Sequence, residues 1–332
     1  MKLAVVILNW NGWKDTLECV KSLLETNSFQ KNIFILDNGS SDDSKMKIRE
    51  FMSEQNLSTY YFNNENFNVN EMDITNDKPK IMLIESDVNF GFAIGNNFVV
   101  NKIKKDFEYI LLLNNDTVVT ENAIDNMLDF MDENINISAV TCDIRFYDDR
   151  EKLWNAGGRL KWYGDRKYYT QKAIDRRIKN KEKYIDATFI TGCALLIRVN
   201  LISVSNIFTE RFFFGEEDFN FCRRMKRDKR KIGVVLDSVI YHKVSSSINK
   251  MSTNKHKFII HFSNRIVDNR EFYTKKYWLM WRLFYLALIF VKLVTSRFSF
   301  SESKKIIGQI QKYSLYESIG ANVFKEIREA NI

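Results

Sequence analysis

Proline is almost missing from this 332-residue chain. Pro79 is the only one, so no proline-rich linker separates its parts. Cysteine is scarce as well. Cys19, Cys142, Cys193 and Cys222 stand far apart, with no CxxC pair and no neighbouring histidine. That spacing excludes a zinc ribbon and a small disulfide-framed fold, and leaves buried thiols in a reducing, cytoplasmic setting as the expectation. Long hydrophobic runs are lacking too: the longest uncharged stretch in the C-terminal part, 283–291, is about half of what a membrane span needs. The apolar run over 3–8 is too short for a signal peptide and no small-residue cleavage site follows it. No zinc-finger, RRM or helix-turn-helix pattern accompanies the basic residues, so nucleic acid is not an expected partner.

What is present is an ordinary globular composition, 45% hydrophobic and 28% charged, with a formal net charge of +8. A basic chain is drawn to anionic membrane or to phosphorylated substrates, although solvated helix faces account for part of such an excess. The length suits one large catalytic unit over 1–245 and a helical segment over 246–332. Within the first unit, a nucleotide-binding half over 1–118 precedes an acceptor half over 119–245. Short β-rich runs at 3–8, 32–36, 81–84 and 109–113 alternate with helical patterns at 15–24, 93–103 and 121–131, which predicts a parallel sheet with helices on both faces. Such sheets bind ligands beyond the carboxyl ends of their strands. The polar clusters of this chain fall there. The Asn- and Asp-rich stretch 63–80 reads as a surface insertion. Past residue 140 a strand at 138–144, an irregular region over 145–184, a central strand at 188–198, a helix at 219–230 and short strands at 233–236 and 239–242 follow.

Asn114-Asn115-Asp116 ends the most aliphatic of these strands. A carboxylate there could hold a divalent cation against a diphosphate, but the same triplet is good turn chemistry. Asp37, ahead of Asn38-Gly39-Ser40-Ser41-Asp42, could accept hydrogen bonds from a base or ribose, or cap a turn. The segment from Asn89 through Gly91 and Gly95 to Asn97 places small residues at a helix start, suited to close approach of a nucleotide or to plain capping. Phe212-Phe213-Phe214-Gly215-Glu216-Glu217-Asp218 sets carboxylates behind an aromatic wall. A partly desolvated acid there could serve as a general base, or merely complement a helix dipole. His242 ends a strand and could ligate a metal or touch a diphosphate, with Lys243 and Ser247 near it; lone histidines are more often structural.

In order along the chain, these stretches resemble glycosyltransferase family 2, the inverting GT-A enzymes, and especially the bacterial rhamnosyltransferase-like branch. The resemblance runs from Asn9-Trp10-Asn11-Gly12 through Asp37–Asp42, Asn89–Asn97, Asn114-Asn115-Asp116, Asn155–Gly158 and Thr191–Arg198 to Glu217-Asp218 and His242. It implies a GT-A fold, a Rossmann-like mixed α/β sheet flanked by helices, with a C-terminal helical segment. It implies that Asn9, Asn11, Asp37, Asn89, Gly91, Asn97, Asn114 and Asn115 lie beside the donor nucleotide. Asp116 and His242 would hold Mg²⁺ or Mn²⁺, and Asp218 with Glu217 would be catalytic. Thr191, Gly192 and Cys193 would line the acceptor side. The donor would be a dTDP-, UDP- or GDP-linked sugar and the acceptor a glycan or lipid-linked glycan, in bacterial surface polysaccharide or glycan assembly. Asn220 stands where many relatives carry a second acid.

Two other readings stay open: a nucleotidyltransferase, or a nucleotide-sugar-binding scaffold without turnover, for which Asn114 and Asn220 leave room. Residues 275–305 are basic and aromatic. Lys275, Arg282, Lys292 and Arg297 fall in one helical arc, and Met280, Phe284, Leu288, Val291 and Phe298 in the opposite one. That pattern predicts an amphipathic helix at the inner face of an anionic membrane, or one packed on protein.

Overall fold

The computed structural model describes residues 3–26, 31–55, 57–69, 80–161, 163–201, 206–244, 254–296 and 298–330. Its frame is a parallel sheet, aliphatic in all but its third strand: β1 (Leu3–Asn9), β2 (Lys31–Asn38), β3 (Ser58–Asn63), β4 (Lys80–Ser86) and β5 (Tyr109–Asn114). Side chains alternate across a strand, so both faces must be covered for such runs to be buried. Ala4 and Val6 enter one core, with Phe34, Leu36, Met82, Ile110 and Leu112. Leu3, Val5 and Ile7 enter the other, with Ile33, Ile35, Leu111 and Leu113. The crossovers that supply this cover include α1 (Trp13–Glu25), α2 (Ser44–Glu54) and α3 (Gly91–Ile103).

The sheet continues as a mixed one. After β6 (Thr117–Val119) and α4 (Ala123–Glu133) come the long β7 (Ile137–Phe146), the short β8 (Leu153–Asn155), β9 (Gly158–Leu160) and β10 (Arg166–Tyr168), then α5 (Gln171–Lys179), β11 (Tyr184–Ala187) and β12 (Ala194–Arg198). A further helix, α6 (Glu217–Arg227), leads into β13 (Lys231–His242). The order across the sheet is β11-β13-β7-β12-β5-β1-β2-β4-β3. Strand β12 runs antiparallel to both β5 and β7, whereas β13 is parallel to β7 and antiparallel to β6. This is the mixed α/β sheet flanked by helices that the resemblance implies. The expected short strands at 233–236 and 239–242 are one strand with a register shift between Val235 and Val239. The expected strand at 188–198 begins only at Ala194, preceded by a turn.

Several features went unread in the sequence, among them α2, β6 and α5. Strand β3 pairs in parallel with β4 and forms the sheet edge. The start of the expected surface insertion is core: Phe67 is buried and packs edge-on against Phe34 and Phe62. Its polar neighbours hid a large apolar anchor, and residues 70–79 lie outside those described.

Helices α7 (Asn254–Phe272), α8 (Lys275–Ser296), α9 (Phe300–Tyr313) and α10 (Ala321–Glu329) form the C-terminal part around their own core, which includes Ile259, Ile266, Trp278, Ile306 and Ile310. The single helix expected over 275–305 is thus broken between α8 and α9. A capping box at Ser299 and Glu302 starts the second helix. This part is stitched to the segment before α6: Phe213 N–H donates to Ile319 O (2.9 Å), and Ile319 N–H to Arg211 O (2.7 Å).

Candidate active site

The carboxyl ends of β1, β2 and β5 lie side by side in register, Asn9 opposite Asp37 and Leu8 opposite Asn114. Side chains there are joined in a continuous polar chain. Asn9 Nδ2 donates to Asp37 Oδ2 at 2.7 Å, and Thr16 Oγ1 donates to Asn9 Oδ1 at 2.7 Å. Asn115 Nδ2 in turn donates to Thr16 Oγ1 at 3.0 Å. Asp37 is fully buried, and its second oxygen accepts from Ser40 N–H at 3.0 Å. Asn11, in a left-handed conformation with φ 51°, accepts from Ser41 N–H at 2.8 Å and so ties the loop after β1 to the loop after β2. Asn38 accepts from Phe90 N–H at 2.9 Å, and Asn89 from Gly91 N–H at 2.8 Å, which fixes the entry to α3 against the same edge.

Asn97 is different. Its amide is buried in α3, donates to Phe208 O (2.8 Å) and Glu210 Oε1 (3.0 Å), and accepts from Phe208 N–H (3.0 Å). It clamps the loop after β12.

Asp116 and His242 meet. The antiparallel pairing of β13 with β6 sets His242 opposite Thr117, one residue from Asp116, and His242 Nε2 lies 3.0 Å from Asp116 Oδ1. Trp154 packs edge-on against the imidazole at 4.2 Å between centroids. Lys243 is not left for a ligand: its ammonium binds Asp15 and Glu18 of α1, each at 2.7 Å, while its N–H donates to Asp116 O. Ser247 lies outside the described residues.

Among the described residues no group of three or more His, Cys, Asp or Glu could hold a metal ion. The pair Asp116–His242 offers one carboxylate oxygen and one imidazole nitrogen side by side, and His242 Nδ1 is buried with no hydrogen-bond partner among the described residues. Mg²⁺ and Mn²⁺ are commonly held by few protein groups when substrate phosphates complete the shell, so this donor pair fits such an ion.

The second acidic cluster is built on a strained turn. Gly215 and Glu216 have φ of 84° and 80°, consecutive left-handed residues of which only the first is glycine. Asn264 of α7 holds this turn, donating to both Phe214 O (2.9 Å) and Gly215 O (3.1 Å). Glu216 is buried and paired with Arg166 Nη2 at 2.5 Å, and the Arg166 guanidinium lies over the Phe219 ring. The turn sets Glu217 and Asp218 at the start of α6. Burial, reinforced by the neighbouring Asp218 charge, pushes Glu217 up to about 8. Burial also raises Asp218, to about 6, with Arg166 pulling the other way. Asp218 is less covered than Glu217, and its Oδ2 faces Gly192 N–H at 3.4 Å.

That contact joins the two clusters. Asn114 N–H donates to Cys193 O at 2.8 Å, so Thr191-Gly192-Cys193 bridges the end of β5 and Asp218. Burial holds the Cys193 thiol well above its ordinary value, with the charges of Asp116 and Asp218 adding to the shift from either side. All four cysteines are free and buried. Arg166, Thr16, Trp154 and Asn264 take part in this arrangement without having drawn attention in the sequence. None sits in a recognisable motif, and Arg166 and Asn264 lie about fifty residues away from the turn they hold. Asn220 Nδ2 is committed to Asp268 Oδ1 (2.6 Å) and Glu271 Oε2 (2.9 Å) of α7.

No curated protein matches the chain significantly. GalNAc-T7, solved with UDP, GalNAc and Mn²⁺, is similar over 98% of this chain and 56% of its own, with a TM-score of 0.61 at 13% identity. A mannosyltransferase from Pyrobaculum calidifontis, solved with GDP-Man and Mn²⁺, is similar over 98% of this chain and 73% of its own, with a TM-score of 0.52 at 11% identity. S. aureus TarS 1-349 in complex with UDP-GlcNAc is similar over 96% and 74% respectively, with a TM-score of 0.51 at 13% identity. These likenesses concern the fold, a GT-A sheet. The model of glycosyl transferase family group 2 matches residues 109–315. The model of glycosyl transferase family 2 matches residues 4–204, more than half of the chain, and the protein belongs to that family.

Proposed function

We propose that this protein is an inverting glycosyltransferase that moves a sugar from a nucleoside-diphosphate-sugar to an acceptor hydroxyl. The observation that carries this reading is the bridge at Thr191-Gly192-Cys193, which joins the end of β5, where Asp116 meets His242, to the raised carboxyl of Asp218. In this reading Asn9, Asn11, Asp37 and the Asn89–Gly91 turn frame the nucleotide. Asn114 and Asn115 orient the edge of β5. A divalent cation held by Asp116 and His242 would supply charge neutralisation for the departing diphosphate. Asp218 takes the proton from the acceptor hydroxyl as its oxygen forms the bond to the anomeric carbon. The electron pair of the broken bond leaves with the nucleoside diphosphate, and configuration inverts.

Glu217, protonated below about 8, keeps the pair at a single negative charge near neutral pH. Arg166, paired with Glu216, limits how far burial raises Asp218. We read the chain as 1–245 catalytic and 246–332 accessory, with α7 of the latter supporting the catalytic turn. The Asn114-Asn115-Asp116 form of the motif is our reason for placing it in the rhamnosyltransferase-like branch and in surface glycan assembly. Membership of the family sets aside the nucleotidyltransferase reading. The scaffold reading is separated by turnover. Thermal stabilisation by UDP-, dTDP- and GDP-sugars, with and without Mn²⁺, followed by nucleotide-release assays on the donor that binds, tests the proposal. A chain stabilised by a donor that never releases nucleotide under any acceptor condition would be a scaffold.

A further inference from the structure

Helix α8 carries large apolar residues on two opposite sides but only one of them is covered. One side belongs to the C-terminal core through Trp278, Trp281, Tyr285, Ile289 and Leu293. It is fixed there by polar contacts. Trp278 Nε1 donates to Ile266 O (2.9 Å), Trp281 Nε1 to Tyr163 O (3.0 Å), and Arg282 to Ser314 Oγ (2.9 Å) and Gln311 O (2.8 Å). The expected basic arc is corrected on this point: Arg282 is an internal tie, not a solvent-facing charge, because its guanidinium closes the end of α9. Arg297 lies outside the described residues.

The opposite side is bare. Met280 (72% exposed), Leu283 (64%) and Val291 (59%) recur at helical spacing with Phe284, Leu288 and Val294, and Phe300 at the start of α9 extends the stripe. Contiguous apolar surface of this kind marks an interaction site on a folded protein.

Residues 275–295 are long and apolar enough to cross a membrane by length and composition. The ties to Ile266, Tyr163, Ser314 and Gln311 would have to break for the helix to do so, which favours a helix lying in the interface plane. Charge selects the partner. Between Glu271 and Glu302 the sequence carries no carboxylate, whereas Lys275, Lys276, Lys292, Lys304 and Lys305 are all exposed. One sign of charge around an apolar band complements an anionic bilayer, which attracts each lysine near its surface by about 1 kcal/mol. A groove of about 390 Å³ opens at the edge of the stripe, lined by Phe284, Leu288 and Lys292 with Phe262, Tyr163 and Asp165.

We infer that the exposed face of α8 docks on an anionic lipid bilayer, and that the acceptor is a lipid-anchored molecule held at that surface. The second half of this statement rests on the transferase reading; the docking does not. The test is flotation of the full chain with vesicles of phosphatidylglycerol and phosphatidylcholine in equal parts, against phosphatidylcholine alone. It is run on wild type and on the double variant Leu283→Glu, Val291→Glu. Wild type is expected to float at least about tenfold more with the anionic vesicles. The double variant is expected to lose that gain while its melting temperature and its donor hydrolysis in solution stay unchanged. Equal flotation of the two forms, or no flotation of wild type, overturns the docking. So does light scattering that finds a dimer which the same substitutions dissociate, because a second copy would then cover the face. Docking with no donor turnover leaves the surface standing and removes the transferase reading; turnover without docking does the reverse. Docking and turnover without preference for a lipid-anchored over a soluble acceptor removes only the acceptor assignment.

Discussion

Replacing Asp218 by asparagine tests the proposed chemistry most directly, because it removes a proton acceptor while keeping size and hydrogen-bonding shape. The wild-type carboxyl is raised to about 6 by burial and opposed by Arg166. A base must be ionised to work, so kcat/KM should fall about tenfold for each pH unit below 6, to about a tenth of its plateau at pH 5. Glu217, at about 8, should set the upper limb, where a second charge enters beside the first. In the Asp218→Asn variant the lower limb should vanish and activity drop by about 10² to 10⁴ across the range. Asp218 contacts Gly192 and its own helix rather than the β1–β2 edge, so donor binding should change little. Nucleotide release measured against pH at saturating acceptor, with donor affinity measured in parallel, gives all of these quantities. The reasoning is refuted if the variant keeps more than about a tenth of wild-type turnover, or if the wild-type profile is flat from about pH 5 to 7.

Three further outcomes follow from the same contacts. His242→Ala should weaken Mn²⁺-dependent stabilisation by nucleotide at least about tenfold without changing metal-free stability much, read by thermal shift across a metal titration. Asn264→Ala frees the two carbonyls of the left-handed turn, at a cost of about 1–3 kcal/mol, and should lower kcat more than it alters donor KM; a fall in donor affinity alone would count against its positioning role. The folded pKa values of Asp218 and Glu217 are raised, so their contribution to stability is fully present below about pH 4 and is lost as pH rises, through about 6 for the first and about 8 for the second. Glu217→Gln removes the later part of that loss, and its melting temperature should fall less than wild type between about pH 6 and 9, which thermal denaturation across pH measures directly.

The first 115 residues were legible in large part because a doubly covered parallel sheet writes itself as aliphatic runs with polar ends. The strands at 3–8, 32–36, 81–84 and 109–113 sit within β1, β2, β4 and β5. Strand β3 escaped because Ser58–Asn63 is half-buried at an edge, with no continuous apolar signal. The region over 145–184 looked irregular because β8, β9 and β10 are three residues each, too short for a period to register. The loop at 206–210 that Asn97 holds could not be read from its place in the sequence, since the two are more than a hundred residues apart.

By itself the sequence determined that the first half is a parallel sheet covered by helices on both faces and which polar residues stand at strand ends, since both follow from local periodicity and chain order. Tertiary structure alone decided which of those ends share a site. His242 reaches Asp116 across 126 positions by an antiparallel register, Arg166 reaches Glu216 from a separate hairpin, and Asn264 clamps the left-handed turn before α6 from a helix beyond the sheet. Burial, which raises Asp218 and Glu217 and leaves one face of α8 bare, is a property of everything packed around a residue. No window along the chain contains it.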